Sequence, residues 1–179
     1  MPDDRRESFY HERVSECGPR YAGFDLLSTR TTLDLLYTYD VFHQATARYM
    51  ADYGLSKSSL NILLLLRHGP QEGMQLHDLG DLLLVSRANV TGLIDSLQER
   101  GWVRRVVDDN DRRVRYARIT EKAEALLDEF MPVHFRHLTT LLQDLSGEEK
   151  ETLVALLRKA RRSMSRHLPG RESRPARHS

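Results

Sequence analysis

The chain has 179 residues, with 27 Lys and Arg against 26 Asp and Glu. That length can bury one real core, and a net charge of +1 excludes neither an acidic nor a basic partner. A single cysteine, Cys17, excludes an intrachain disulfide framework, and neither the polar amino terminus MPDDRRESFYHERVSE nor the short aliphatic run Ile62 to Leu66 suits export or a bilayer span, so a cytoplasmic protein with no membrane segment is expected.

Residues 1–24 are polar and punctuated by Gly18, Pro19 and Gly23, which reads as an irregular arm with room for one short helix. From Asp25 to about Tyr53, Leu33, Tyr37, Val41, Ala45 and Tyr49 recur every four residues and predict a long amphipathic helix. Gly54 ends it, and Ser56 is placed to cap the next helix, which runs to about His68 before Gly69-Pro70 breaks the chain. A third helix is expected over about His77 to Leu84. A fourth is capped by Ser86 and runs to about Arg100, where Gly101 stops it.

An antiparallel ribbon follows over about Val103–Val107 and 113–119, with DDND as its turn. Thr120 caps a long helix to about Leu145, with Pro132 inside it as a kink point. Ser146 and Glu149 have capping-box spacing, and the last helix puts Leu153, Leu156, Leu157, Ala160 and Met164 on one face. Beyond Pro169 the tail RESRPARHS is expected to be disordered, residues 169–179 forming a basic tail.

The balanced total charge hides an uneven distribution. Residues 56–119 hold ten basic and eight acidic residues, 120–157 hold three and eight, and 158–179 hold eight and one. Six arginines, at 104, 105, 112, 113, 115 and 118, crowd the ribbon.

The helix before that ribbon has a narrow apolar stripe of Val90, Leu93, Ile94 and Leu97. Its opposite face centres on Ala88, Gly92 and Asp95, flanked by Asn89, Thr91 and Ser96. A helix-interior glycine costs roughly 1 kcal/mol against alanine, so Gly92 calls for a reason. Close approach to base edges supplies one: Ala88 and Gly92 would let the helix lie low in a major groove while Arg87, Asn89 and Thr91 make guanine-type, adenine-type and methyl or phosphate contacts. Ser86 at the cap, with Ser56 and Lys57 at the start of an earlier helix, complete the expected contact set. Asp95 would repel phosphate, and is therefore expected past the DNA edge or opposite a protein arginine. In the ribbon, Arg112, Arg113 and Arg115 suit a narrow minor groove; Trp102 and Val103 at its root read as core. The bland account, a small polar surface helix beside a solvated charged hairpin, fits each part alone but not the two in direct succession. Together they read as a winged helix-turn-helix: mainly α, with a small antiparallel β-wing.

These residues carry a family resemblance. LLVSRANVTGLIDSLQERGWVRR (83–105), DDNDRR (108–113) and RIT (118–120) leading into a helix resemble the MarR family of transcription factors. The similarity in layout extends from about 25 to 168 and departs from the usual pattern at His77, Gly80 and Ala123. The resemblance implies a homodimer whose amino- and carboxyl-terminal helices, 25–55 and 121–168, form the dimerisation region around a 56–120 winged-helix lobe. It also implies double-stranded DNA as partner, with two recognition helices in successive major grooves of a pseudo-palindromic operator, and a small aromatic or lipophilic effector. Tyr39, Phe42 and His43 lie off the main stripe of their helix and are the candidate effector contacts, although core packing is the commoner fate of any one of them.

Two further features bear on function. Cys17 invites comparison with peroxide-sensing relatives, and a Cys17-based sensor stands as an alternative reading. His134 and His137 share a helix face, but no third ligand completes a zinc site, so surface histidines are expected and no cofactor is implied. No nucleophile elbow, phosphate loop or paired-carboxylate arrangement argues for an enzyme. The remaining alternative is a winged-helix interaction module that does not bind DNA.

Overall fold

A computed structural model describes residues 5–83, 87–107 and 115–167. Seven α-helices, one turn of 3-10 helix (Gly18–Arg20) and three short strands occur in that stretch: α1 (Arg5–Cys17), α2 (Leu26–Asp52), α3 (Lys57–His68), β1 (Met74–Gln75), α4 (Leu76–Leu83), α5 (Arg87–Glu99), β2 (Val103–Val107), β3 (Arg115–Ile119), α6 (Glu121–Leu141) and α7 (Gly147–Ser165). None of the described helices is long and apolar enough to cross a membrane. The chain divides into two compact units, 1–137 and 138–179.

The caps fall where side-chain chemistry puts them. Asp25 accepts the Ser28 N–H at 2.7 Å to start α2, and hydrogen bonds from Ser28 hold its carboxyl below the ordinary carboxylate value. At α3 two serines make a reciprocal box: Ser59 N–H donates to Ser56 Oγ at 3.1 Å, and Ser56 N–H to Ser59 Oγ at 2.7 Å. Ser146 and Glu149 close the same motif at α7. Thr120 Oγ1 accepts from the Ala123 N–H at the head of α6. That helix runs through Pro132 without interruption and ends at Leu141, four residues before the expected end.

One core joins α2 to α6. Ile62, Leu63, Leu79, Val90, Ile94, Val103, Leu127 and Phe130 are its largest fully buried side chains, with Tyr49, Trp102 and Ala117 packed among them. The Trp102 and Val103 expectation is met.

Three features differ from the sequence reading. The amino-terminal arm holds a 13-residue helix, α1, and Cys17 is its last residue, half-buried. Pairs between polar side chains fix α1 on α2: His11 Nε2 lies 3.0 Å from Asp34 Oδ1, and Arg30 donates to Ser15 Oγ at 3.0 Å. Along α2 the four-residue stripe is buried only at its end, at Tyr49, while Val41 and Ala45 are exposed. A strict four-residue repeat advances about 40° per step on a helix of 3.6 residues per turn, so it winds off any one face.

The third difference is β1. It gives a sheet of order β1-β3-β2, with Met74 opposite Ala117 and Gln75 opposite Tyr116. Gly73 makes this edge possible. It has φ +105°, and a Cβ there would stand 2.6 Å from the Ala117 carbonyl oxygen.

Candidate nucleic-acid interface

α5 packs against α4 and β2, and the apolar stripe read from the sequence is its inner face: Val90 and Ile94 are fully buried, Leu97 nearly so and Leu93 partly. Its carboxyl end is fixed from two directions. Gly101 leaves the helix at φ +72°, the left-handed conformation that a helix stop commonly needs. The carbonyl of Arg100 then accepts from Lys122 Nζ at 2.8 Å, and that of Gly101 from Thr120 Oγ1 at 2.8 Å. Arg100 itself donates to the Gly54 carbonyl in the turn after α2, and its guanidinium lies 4.9 Å from the Trp102 ring centre. Anchored there, α5 offers its outer face to the surroundings.

On that face Ala88, Asn89, Thr91 and Gly92 are all exposed, and a Cβ at Gly92 would meet nothing within 4 Å. Packing within the chain therefore gives no reason for a glycine at 92. Arg87 is the first residue of α5; Ser86 lies outside the described residues.

The hairpin continues this surface. Val103 pairs with Ile119, Arg104 with Arg118, Arg105 with Ala117, Val106 with Tyr116 and Val107 with Arg115. Two arginines thus stand directly opposite each other on one sheet face, an arrangement that destabilises an isolated hairpin by a few tenths of a kcal/mol or more, about 0.2–1. A surface that receives an anion tolerates it. The DDND turn with Arg112 and Arg113 lies outside the described residues, and Arg115 opens β3. Asp95 meets the second of its two expectations: it pairs with Arg105, Nη2 to Oδ1 2.5 Å.

The remaining candidates are elsewhere. Ser56 spends its hydroxyl on the α3 cap, and it lines a recess of about 360 Å³ with Leu93, Ser96, Leu97 and Arg100, beside the carboxyl-terminal half of α5. Lys57 donates to the Tyr39 hydroxyl at 3.1 Å, its ammonium 4.7 Å from the ring centre. Ser56 and Lys57 thus stand at the start of α3, with Ser56 beside Leu93 and Ser96 of α5. Tyr39, Phe42 and His43 are exposed on α2, with the Tyr39 and His43 rings parallel at 6.0 Å.

His134 and His137 are not isolated surface histidines. Tyr49 Oη lies 2.8 Å from His134 Nδ1, and the Tyr49 ring stacks on His137 at 4.2 Å. Phe130 stacks on the other two, 5.2 Å from His134 and 6.1 Å from Tyr49. Burial, and secondarily the neighbouring His137, push the His134 pKa below its ordinary value; burial raises that of Tyr49. Both shifts favour the neutral forms of the two rings in this contact. The i, i+3 spacing carried half of this signal, but the partner lies 85 residues away, beyond any local pattern. Among the described residues no group of three His, Cys, Asp or Glu could hold a metal ion.

Comparison with known proteins agrees with this geometry. A family model described as MarR family matches residues 53–114. The HTH-type transcriptional repressor YetL of Bacillus subtilis (strain 168) is 29% identical over 147 residues, 82% of this chain and 88% of that protein. The uncharacterized HTH-type transcriptional regulator YkoM of the same organism is 34% identical over 110 residues, 61% of this chain and 70% of that protein. Among solved structures, Sco3205, a MarR family transcriptional regulator from Streptomyces coelicolor in complex with DNA, superposes with a TM-score of 0.72, covering 80% of this chain and 91% of that one. At 17% identity that likeness bears on the fold, which is a winged helix.

Proposed function

The chain belongs to the MarR family, and we propose that it is a homodimeric, sequence-specific DNA-binding repressor whose operator affinity responds to a small aromatic or lipophilic ligand. The observation that carries the DNA reading is the outer face of α5, small and polar and exposed from Ala88 to Gly92, running directly into an arginine-bearing hairpin. Arg87, Asn89 and Thr91 face base edges, Ala88 and Gly92 allow the approach, and Arg112, Arg113 and Arg115 reach the neighbouring backbone and minor groove. Ser56 and Lys57, at the start of α3 beside α5, complete the proposed DNA contact set.

Support for a homodimer comes from α7. None of its residues is buried, and Leu153, Leu156, Leu157 and Met164 are all exposed on the face that the sequence marks as apolar. In the same reading, residues 25–55 and 121–168 form the dimerisation region and 56–120 the winged-helix lobe. For the effector, Tyr39, Phe42 and His43 supply stackable rings at the point where α2 is tied to α3 through Lys57. A ligand there can act only through its differential affinity for two spacings of the recognition helices.

The test is binding of the purified protein to the DNA upstream of its own coding sequence across a salt series. An affinity falling by about a thousandfold between 50 and 200 mM salt is expected for about six neutralised phosphates. Replacing Arg87 and Asn89 together by Ala should abolish operator binding while the dimer persists. Unchanged binding in that variant would overturn the assignment of α5.

A further inference from the structure

The last helix, α7, is charged unevenly along its length and around its axis. Its first turn carries Glu148 and Glu149, which suit the positive end of the helix dipole. From Thr152 to its end at Ser165 the helix has no acidic residue, yet it holds Arg158, Lys159, Arg161 and Arg162, and Arg166 follows as its cap. All five side chains are exposed. The dipole rewards cations in the last turn, which accounts for Arg162. Arg158, Lys159 and Arg161 need another reason.

For α7 by itself the arrangement is unfavourable. Arg162 stands four residues from both Arg158 and Arg166, and three from Lys159, the spacings at which like charges on a helix repel. A four-residue step is about 6 Å along the axis, inside the Debye length of about 8 Å at physiological salt. None of the five cations has a carboxylate three or four residues away to relieve the repulsion.

The cations are also segregated. At about 100° per residue, Leu153, Leu156, Leu157, Ala160 and Met164 fall in an arc of about 100°, and the five cations fill about 160° on the opposite side. With the apolar arc covered by a second copy, as in the homodimer reading on which this rests, the cationic arc stays at the surface. A basic amphipathic helix can also lie on an anionic bilayer, but that mode consumes the apolar arc. Arg158, Arg162 and Arg166 span about 12 Å, over which one strand of a duplex presents three or four phosphates. Four of the five cations are arginines, whose planar fork grips phosphate oxygens in pairs.

We propose that the carboxyl-terminal half of α7 is a second, sequence-independent contact for the phosphate backbone of double-stranded DNA, through which a dimer holding one duplex on its α5 faces takes up another. The two surfaces belong to different compact units, 138–179 and 1–137.

The experiment immobilises a duplex that the wild-type protein enriches from a randomised pool, loads it with protein, and offers a labelled duplex of unrelated sequence. Wild type should capture the labelled duplex at about 50 mM salt, and capture should weaken about fiftyfold by about 200 mM, for three neutralised phosphates. Replacing Arg158, Lys159, Arg161 and Arg162 together by Gln should reduce capture about tenfold or more while affinity for the immobilised duplex stays within about twofold. The same variant should unfold at a higher temperature than wild type, because the like-charge repulsion is gone; a merely structural role would lower that midpoint. The milder R158Q with R162Q, the two most outward positions, should lose part of the capture and replaces the fourfold variant if sedimentation shows that one to be monomeric. R158K with R162K, which keeps the charge, should still capture. Undiminished capture by the dimeric Gln variants, or no capture by wild type, would overturn the proposal. Wild type that binds vesicles of phosphatidylserine and phosphatidylcholine but no second duplex would overturn it in favour of a membrane surface. If the wild type enriches no sequence, the reading of α5 fails alone: direct binding of the unrelated duplex, tighter in wild type than in the Gln variant, would still uphold the α7 contact.

Discussion

At the scale of single residues, Gly92 separates stability from function. A helix-interior glycine costs roughly 1 kcal/mol against alanine, and a Cβ at this position meets nothing within 4 Å of the chain. Gly92→Ala should therefore raise the midpoint of thermal unfolding by several degrees, while an added methyl on the reading face lowers operator affinity by about tenfold or more. Calorimetry and fluorescence anisotropy on one preparation would show both; a variant more stable and equally tight would mean that α5 does not approach DNA at Gly92. The Tyr49–His134 contact makes a second residue-scale prediction. Burial lowers the His134 pKa in the folded chain from its ordinary 6.5, so the unfolded chain binds the proton first as pH falls. The stability due to neutral His134 is fully present above about pH 6.5 and is lost as pH drops from there through the lowered folded value. Denaturant midpoints measured from about pH 7.5 down to about pH 5 should decline. His134→Phe, which keeps the ring and removes the titration, should flatten that part of the decline; an unchanged slope would assign it to other groups.

At the scale of elements, β1 shows what a two-residue strand depends on. Gly73→Ala puts a Cβ 2.6 Å from the Ala117 carbonyl in a backbone of φ +105°, and should cost about 2 kcal/mol in urea unfolding by prying β1 off β3. A shift under about 0.5 kcal/mol would mean the backbone relaxes without loss. No sequence pattern announces such a strand, because two residues have no period. The helices were legible for the opposite reason: Ser56, Thr120 and Ser146 as caps and Gly101 as a stop each state a boundary in local chemistry, and Val90, Ile94 and Leu97 state a buried face. α1 escaped because its hold on α2 comes from polar pairs such as His11 with Asp34 rather than from an apolar stripe. Of the interface, the Ala88–Gly92 face was readable from the helical wheel, and so was the need of Asp95 for a cation. Which arginine meets it was not, since the choice of Arg105 over Arg104 depends on which way β2 faces α5.

At the scale of the whole molecule, the nearly neutral net charge and the expected salt dependence are compatible only because charge is segregated along the chain. Counterion release counts local phosphate contacts, so a basic wing on each of two copies doubles the slope of log affinity against log salt relative to one copy. That makes the dimer testable through DNA. α7 is a 19-residue helix with no buried residue, and a lone amphipathic helix of this length is marginal in water, so its apolar face needs a covering surface. With a second copy as that surface, the wild type should sediment at about twice 20.8 kDa. Replacing Leu153 and Leu156 together by Lys should yield a monomer whose winged-helix lobe remains folded. Losing the second, intramolecular half-site contact should weaken operator binding by about a hundredfold or more, and the salt slope should fall to about half. A monomeric variant that keeps the full slope would mean that one copy already makes every phosphate contact, and the two-groove mode of binding would have to be given up.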